Sequence, residues 1–142
     1  MLNGKPLSIL LVEDDDGDAK AMQRAFQHAK VANLILRAVD GIDALDMLRG
    51  TNGKAKIPAP YILLVDLNMP RMNGIQLIRA LREDRELNRT VAFVLTTSNR
   101  KEDKSAAYDL NVAGYIVKAT AGHDLLNLVN FIDCYWQVVE VP

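Results

Sequence analysis

The sequence predicts an α/β fold built as a doubly wound parallel sheet, and three observations carry that expectation. Short apolar runs, Leu7–Val12 and Tyr61–Val65 foremost, show almost no polar alternation, as strands buried on both faces require. Between them lie segments whose apolar residues recur every three or four positions, which marks amphipathic helices. Strand-like and helix-like segments alternate five times, and right-handed crossovers turn such a chain into a sheet with helices on both faces.

Each element follows in order. The first strand, Leu7 to Val12, is interrupted only by Ser8 and stops at Glu13-Asp14-Asp15-Asp16, where a buried strand emerges from its sheet. Asp16 is a good N-cap for the next helix, whose Ala19, Met22, Ala25, Phe26 and Ala29 share one face. Leu34 to Val39 forms the second strand, and Ile42, Leu45 and Leu48 mark a short helix ending near Gly50. Thr51 to Pro60, rich in Gly, Lys and Pro, is a loop. Tyr61–Val65 is the most apolar run and therefore the central strand; it ends at Asp66, and a loop containing Pro and Gly runs from Leu67 to Gly74. Ile75, Ile78 and Leu81 define the third helix, Val91–Leu95 the fourth strand and about Lys101 to Leu110 the fourth helix. Ala113–Val117 and a helix from about His123 to Val138 complete the chain.

The 142 residues, 49% hydrophobic and 25% charged, fit one domain spanning 1–142. At this length folding removes roughly 68–70% of the unfolded chain's surface from water, enough for a core without disulfides or a structural metal. A net charge of −1 with no cluster of Lys and Arg argues against a nucleic-acid partner. Cys134 is the sole cysteine, with no Cys or His at ligand spacing, so it reads as an inert helical residue in a reducing, cytoplasmic setting. Ile9–Val12 is too short for a signal sequence, and nothing approaches the ~20 apolar residues of a membrane span.

Ligands of such sheets bind at the carboxyl ends of the strands. Here those ends deliver Glu13 and Asp14, Asp66, Thr96-Thr97-Ser98 and Lys118 to one crevice. Converging carboxylates repel one another, so either they take up protons or a divalent cation neutralises them. Magnesium suits the set: Asp14, Asp66, one backbone carbonyl and Glu13 through water would hold it, whereas His28 and His123 lie far apart and off ligand spacing. A metal, an ammonium and a hydroxyl around a carboxylate are what stabilise a phosphoryl group in transfer, with Asp66 as nucleophile. Each element alone has a plainer reading. Acids after a strand often only cap a helix, strand-exit hydroxyls satisfy local backbone, and a lysine is usually solvated. Their joint arrival at successive strand ends favours the chemistry.

Four stretches in this order, Leu11-Val12-Glu13-Asp14-Asp15, Val65-Asp66-Leu67-Asn68-Met69-Pro70 with Gly74, Leu95-Thr96-Thr97-Ser98 and Gly114-Tyr115-Ile116-Val117-Lys118, resemble the receiver domain of two-component response regulators over essentially the whole chain. Ala107-Tyr108-Asp109-Leu110 and the tail Tyr135-Trp136-Gln137-Val138 narrow the likeness to stand-alone regulators that partner bacterial phytochromes. The resemblance implies a flavodoxin-like (βα)5 fold with strand order 2-1-3-4-5. It implies that Asp66 accepts a phosphoryl group from a sensor histidine kinase, with Glu13 and Asp14 forming the acidic pocket and the Asn68 carbonyl completing a Mg2+ site. Thr96 and Lys118 would contact the phosphoryl oxygens. Thr96 would be drawn toward them and Tyr115 would move inward behind it, biasing the face made by the fourth helix, last strand and last helix toward a downstream protein.

The sequence departs from that pattern after the lysine, where Ala119 replaces the usual proline. A cis bond before alanine costs ~3–4 kcal/mol against about 0.5–1 before proline. Either the loop holds it, or the bond is trans and Lys118 sits differently, which would weaken phosphorylation. On the last helix Leu125, Leu128, Val129, Ile132 and Trp136 form one stripe, while Phe131, Tyr135 and Val138 flank it as extra apolar surface. That flank fits a homodimer interface, the competing expectation being cover by the chain's own tail. Two other functions compete: a phosphate-independent pseudo-receiver, and a haloacid-dehalogenase-like phosphatase, which needs an acid where Asn68 stands.

Overall fold

The computed structural model describes residues 6–32, 34–122 and 125–142. Its elements are β1 (Ser8–Val12), α1 (Asp16–Ala29), β2 (Leu34–Ala38), α2 (Gly41–Arg49), β3 (Tyr61–Val65), α3 (Gly74–Glu83), β4 (Ala92–Thr96), α4 (Lys101–Asp109), β5 (Gly114–Val117) and α5 (Leu126–Val138). All strand pairs are parallel, in the order β2-β1-β3-β4-β5. The flavodoxin-like five-stranded arrangement is therefore as expected.

The uniform burial of β1 and β4 follows from helices on both faces. Alternate residues feed two cores. Leu10, Val12, Leu63, Val65 and Val94 meet Leu45 and Leu48 of α2 and Leu77, Ile78 and Leu81 of α3. Ile9, Leu11, Ile62, Leu64, Phe93 and Leu95 meet Met22 and Phe26 of α1 and Leu128, Val129, Ile132 and Trp136 of α5. The chain leaves β1 toward β2 and then crosses to β3 on the other side, so strand order reverses between β1 and β3. A crevice must open there at the carboxyl ends, since the two following loops diverge.

Several boundaries differ from the expectation. Asp15, not Asp16, caps α1, its carboxylate accepting from the Asp18 N–H at 2.8 Å. Four consecutive acids offer equivalent caps, and only the chain's exit angle chooses among them. The fourth strand extends to Thr96, which is fully buried instead of standing at the strand exit. α5 begins at Leu126, after Leu125 at φ 61° with no side-chain cap. His123, where the last helix was expected to open, lies outside the described residues. Of the predicted stripe, Leu128, Val129, Ile132 and Trp136 are buried and Leu125, just before α5, is half-buried, while Phe131 and Val138 remain 46% and 79% exposed. The tail does not cover them, although Val141 packs against the α1/α5 core. Cys134 is a free, exposed thiol on the same helix. Among the described residues no helix is long and apolar enough to cross a membrane.

Candidate phosphoacceptor site

β1 and β3 end level with each other, Val12 pairing with Val65, so Glu13 and Asp66 leave the sheet side by side. The Asp66 N–H donates to the Val12 carbonyl at 3.0 Å, and the Glu13 N–H to the Ala38 carbonyl at 3.0 Å. These bonds carry the strand ladder one step further and fix both acids. Glu13 and Asp66 are buried and Asp14 is exposed, and one oxygen from each of the three lies within 4.8 Å of the others. Three converging carboxylate oxygens, two of them withdrawn from water, fit a hard divalent cation with room for its own waters. His28, in the last turn of α1, takes no part in this cluster.

The loop after Asp66 is shaped by close approach. A Cβ on Gly74 would stand 2.4 Å from the Asp66 carbonyl oxygen and 2.9 Å from the Leu67 Cα, so only glycine lets α3 begin here. Asn73 and Gln76 complete a reciprocal capping box at the same point. Asn68 is exposed, its N–H 3.4 Å from Asp66 Oδ1. Arg71 pairs with the buried Asp40, which also caps α2, and the Gly41 N–H donates to the Met72 carbonyl at 3.1 Å. The loop is thus bound to its neighbour on one side and to its own helix on the other.

β4 and β5 contribute the other wall. Thr96 is fully buried, and its hydroxyl accepts from the Ser98 N–H at 3.3 Å. The Tyr115 hydroxyl donates to the Ser98 carbonyl at 3.0 Å, and burial pushes that phenol above its ordinary range. Ser98 in turn donates to Asp103 of α4. Thr96 and Tyr115 thus meet at Ser98, in the β4–α4 loop.

Lys118 crosses from β5 to the acids. The peptide joining it to Ala119 is trans, and Lys118 opens a short 3-10 turn through Thr120. Its Nζ lies 2.7 Å from Glu13 Oε1, 2.8 Å from Asp18 Oδ2 and 3.7 Å from Asp66 Oδ2. Of the two peptide geometries that Ala119 left open, the trans one is adopted, and Lys118 still reaches the acids. Burial alone would lower the ammonium's pKa, but hydrogen bonds to Asp18 and Glu13 and the charge of Asp66 raise it, so it stays protonated. Burial pushes the Glu13 carboxyl up to about 7, opposed by its bond to Lys118 and reinforced by the charge of Asp66.

Two residues at this site were not foreseen. Asp18 reaches Lys118 across 100 residues of sequence, and nothing local marks it beyond its place in the first turn of α1. Arg37 donates to the Glu13 and Asp14 carbonyls and to the Asp16 carboxylate. It could have been noticed as the one cation in the otherwise apolar run Leu34-Ile35-Leu36-Arg37-Ala38.

A parallel sheet with acids at its reversal point, a lysine facing them and a buried threonine on the next strand defines a phosphoacceptor signalling domain, and comparison with known proteins agrees. Residues 9–130 match the response regulator receiver domain, and the chain belongs to that family. Within it, the chain is 30% identical to the response regulator Rcp1 of Synechocystis sp. over 138 residues, 96% of this chain and 94% of that one. The Mn2+-bound crystal structure of Rcp1 superposes with a TM-score of 0.84, covering 96% of this chain and 99% of that chain. The phosphorylated cyanobacterial phytochrome response regulator RcpA, 29% identical, superposes with a TM-score of 0.80 over 95% and 97% of the two chains. These relatives support neither the phosphatase nor the pseudo-receiver reading.

Proposed function

We propose that the chain works as a single-domain, cytoplasmic response regulator that takes a phosphoryl group onto Asp66 from a sensor histidine kinase of the phytochrome type. The convergence of Glu13, Asp14 and Asp66 within 4.8 Å, with the Lys118 ammonium 3.7 Å from Asp66, is the observation that carries this reading. An Asp66 carboxylate oxygen attacks phosphorus and the bond from phosphorus to the kinase's histidine nitrogen breaks; the freed imidazole keeps that electron pair. The position two residues after Asp66, where a haloacid-dehalogenase-like phosphatase carries its acid, holds Asn68, which supports phosphoryl acceptance over turnover of an external phosphoester.

Glu13, Asp14, Asp66 and the Asn68 carbonyl would hold Mg2+, which would supply positive charge for the transferring oxygens. Lys118 leaves its Glu13 and Asp18 partners to meet the phosphoryl group, and the Thr96 hydroxyl gives up the Ser98 N–H to do the same. The new group adds about −1.5 to −2 charges and three acceptors. Movement of Thr96 loosens the loop at Ser98 and frees the Tyr115 hydroxyl to follow, so phosphate at β3 is read at the α4-β5-α5 face. That face exposes Tyr108, Phe131 and Val138, and it fits a second copy of the chain or the downstream protein; sedimentation showing a monomer with and without phosphate would remove the dimer.

Labelling by acetyl phosphate with intact-mass detection tests the reading. The native protein should gain one Mg2+-dependent, hydroxylamine-labile phosphoryl group and Asp66→Asn none. Equal labelling of both, or of neither, would overturn it.

A further inference from the structure

From the contacts of Arg37 we infer that it is a positioning residue for divalent-cation binding, aiming the two acids of the β1–α1 turn from behind. The inference rests on the reading of Glu13, Asp14 and Asp66 as the cation site and names what sets its affinity. Arg37 Nε donates to the Glu13 carbonyl at 2.9 Å, one Nη to the Asp14 carbonyl at 3.0 Å, and the other Nη pairs with Asp16 at 2.6 Å. Two of these partners belong to the turn and Asp16 opens α1, yet the arginine comes from the edge strand, 21 to 24 residues away.

The geometry suits a guanidinium and no other side chain. Its planar fork presents donors at fixed spacing, so two successive carbonyls can be held with the peptide between them at one orientation. Each carbonyl belongs to a residue whose side chain faces the cluster. Fixing both carbonyls outward therefore fixes the directions in which the two carboxylates leave the backbone. Without the fork the Asp14 carboxylate would rest on a turn anchored only at Glu13, whose N–H holds the Ala38 carbonyl, and part of the cation's binding energy would go into drawing Asp14 toward the other acids.

A second effect of Arg37 acts with the opposite sign. Its positive charge lies on the outer side of the acidic turn and repels an incoming cation, so charge alone predicts tighter binding when it is removed. Positioning predicts weaker binding. Replacement by lysine separates them, because lysine keeps the charge and loses the fork.

The experiment titrates Mn2+ alone into the native protein, Arg37→Lys, Arg37→Gln and Asp16→Asn, with free Mn2+ read by electron paramagnetic resonance and each variant's Tm taken without metal. Arg37→Lys and Arg37→Gln should each raise Kd by about 10-fold or more, the range in which partners that orient metal ligands act. Asp16→Asn, which leaves both carbonyl bonds intact, should stay within about two-fold, as expected for an exposed ion pair. If Arg37→Lys matches the native Kd while Arg37→Gln binds more tightly, Arg37 acts by charge and the inference fails. If Tm falls but Kd does not change, Arg37 is only a brace for the fold and the inference also fails. If the native protein itself binds no Mn2+, the cation-site reading fails first and takes the inference with it.

Discussion

The two walls of the crevice are built differently. On the β1/β3 side, α1 and α3 are capped by Asp15 and Asn73, α3 buries Leu77, Ile78 and Leu81, and the Asp66 loop is tied down by Gly74 and the Arg71–Asp40 pair. On the β4/β5 side, α4 has no side-chain cap and buries only Ala107, and every residue of β5 is half-buried. Acids that must meet a cation and a phosphoryl group gain from a frame already in place, because little reorganisation is then needed at the moment of reaction. Elements that must report the event are drawn from the less stable end of the structure. Fixed chemistry on one wall and a loosely held reporter on the other is what a two-state receiver needs.

The largest expected effect comes from breaking the firm wall. Ile78→Ala removes a fully buried side chain of α3 and should cost about 2–5 kcal/mol in urea unfolding. Tyr108→Ala on α4, where the side chain is half exposed, should cost no more than about 0.5 kcal/mol. Similar costs at the two sites would erase the contrast.

Proton linkage at Glu13 sharpens it next. Its folded pKa of about 7 lies above the ordinary 4.5, so the folded protein keeps a proton that the unfolded chain has lost between those values. The resulting stability is complete below pH 4.5 and disappears as pH rises through 7. In the metal-free protein Tm should therefore fall from pH 5.5 to 8, and added Mg2+ should restore it chiefly at the upper end, where the cation displaces no proton. Glu13→Gln should flatten the metal-free profile; an unaltered slope would assign the effect to another group.

How much of this was legible follows from range. The strands could be read because uninterrupted apolar runs that stop at acids have one physical explanation, burial on both faces. The convergence of Glu13, Asp14, Asp66 and Lys118 followed from strand ends alone. Asp18 was out of reach, since Lys118 reaches it only once the sheet is assembled, and Arg37 stood out in its apolar strand while its partners appear only when β2 is laid beside β1. The position of Thr96 was misjudged by one residue: a β-branched residue that carries a hydroxyl suits both a strand and its exit. The start of α5 was equally obscure, because a leucine at positive φ carries no sequence mark.

The smallest expected effect concerns Asp18. Being half exposed, its bond to Lys118 contributes about 0.2–1 kcal/mol, and that amount opposes transfer of the ammonium to a phosphoryl group. Asp18→Asn should bind a beryllofluoride analogue about 1.4–5-fold more tightly. Weaker binding would mean that Asp18 guides Lys118 toward Asp66, not away from it.

Cys134 gives the face that α5 shares with α4 and β5 a point from which it can be watched. It is the only sulfhydryl in the sequence and it is exposed on α5, so a thiol-reactive label attaches once per chain, at a known place, with no cysteine to remove first. A nitroxide there would report local mobility before and after phosphoryl uptake. In a paired assembly the two spins would also measure, in ångströms, how far apart the two α5 helices lie.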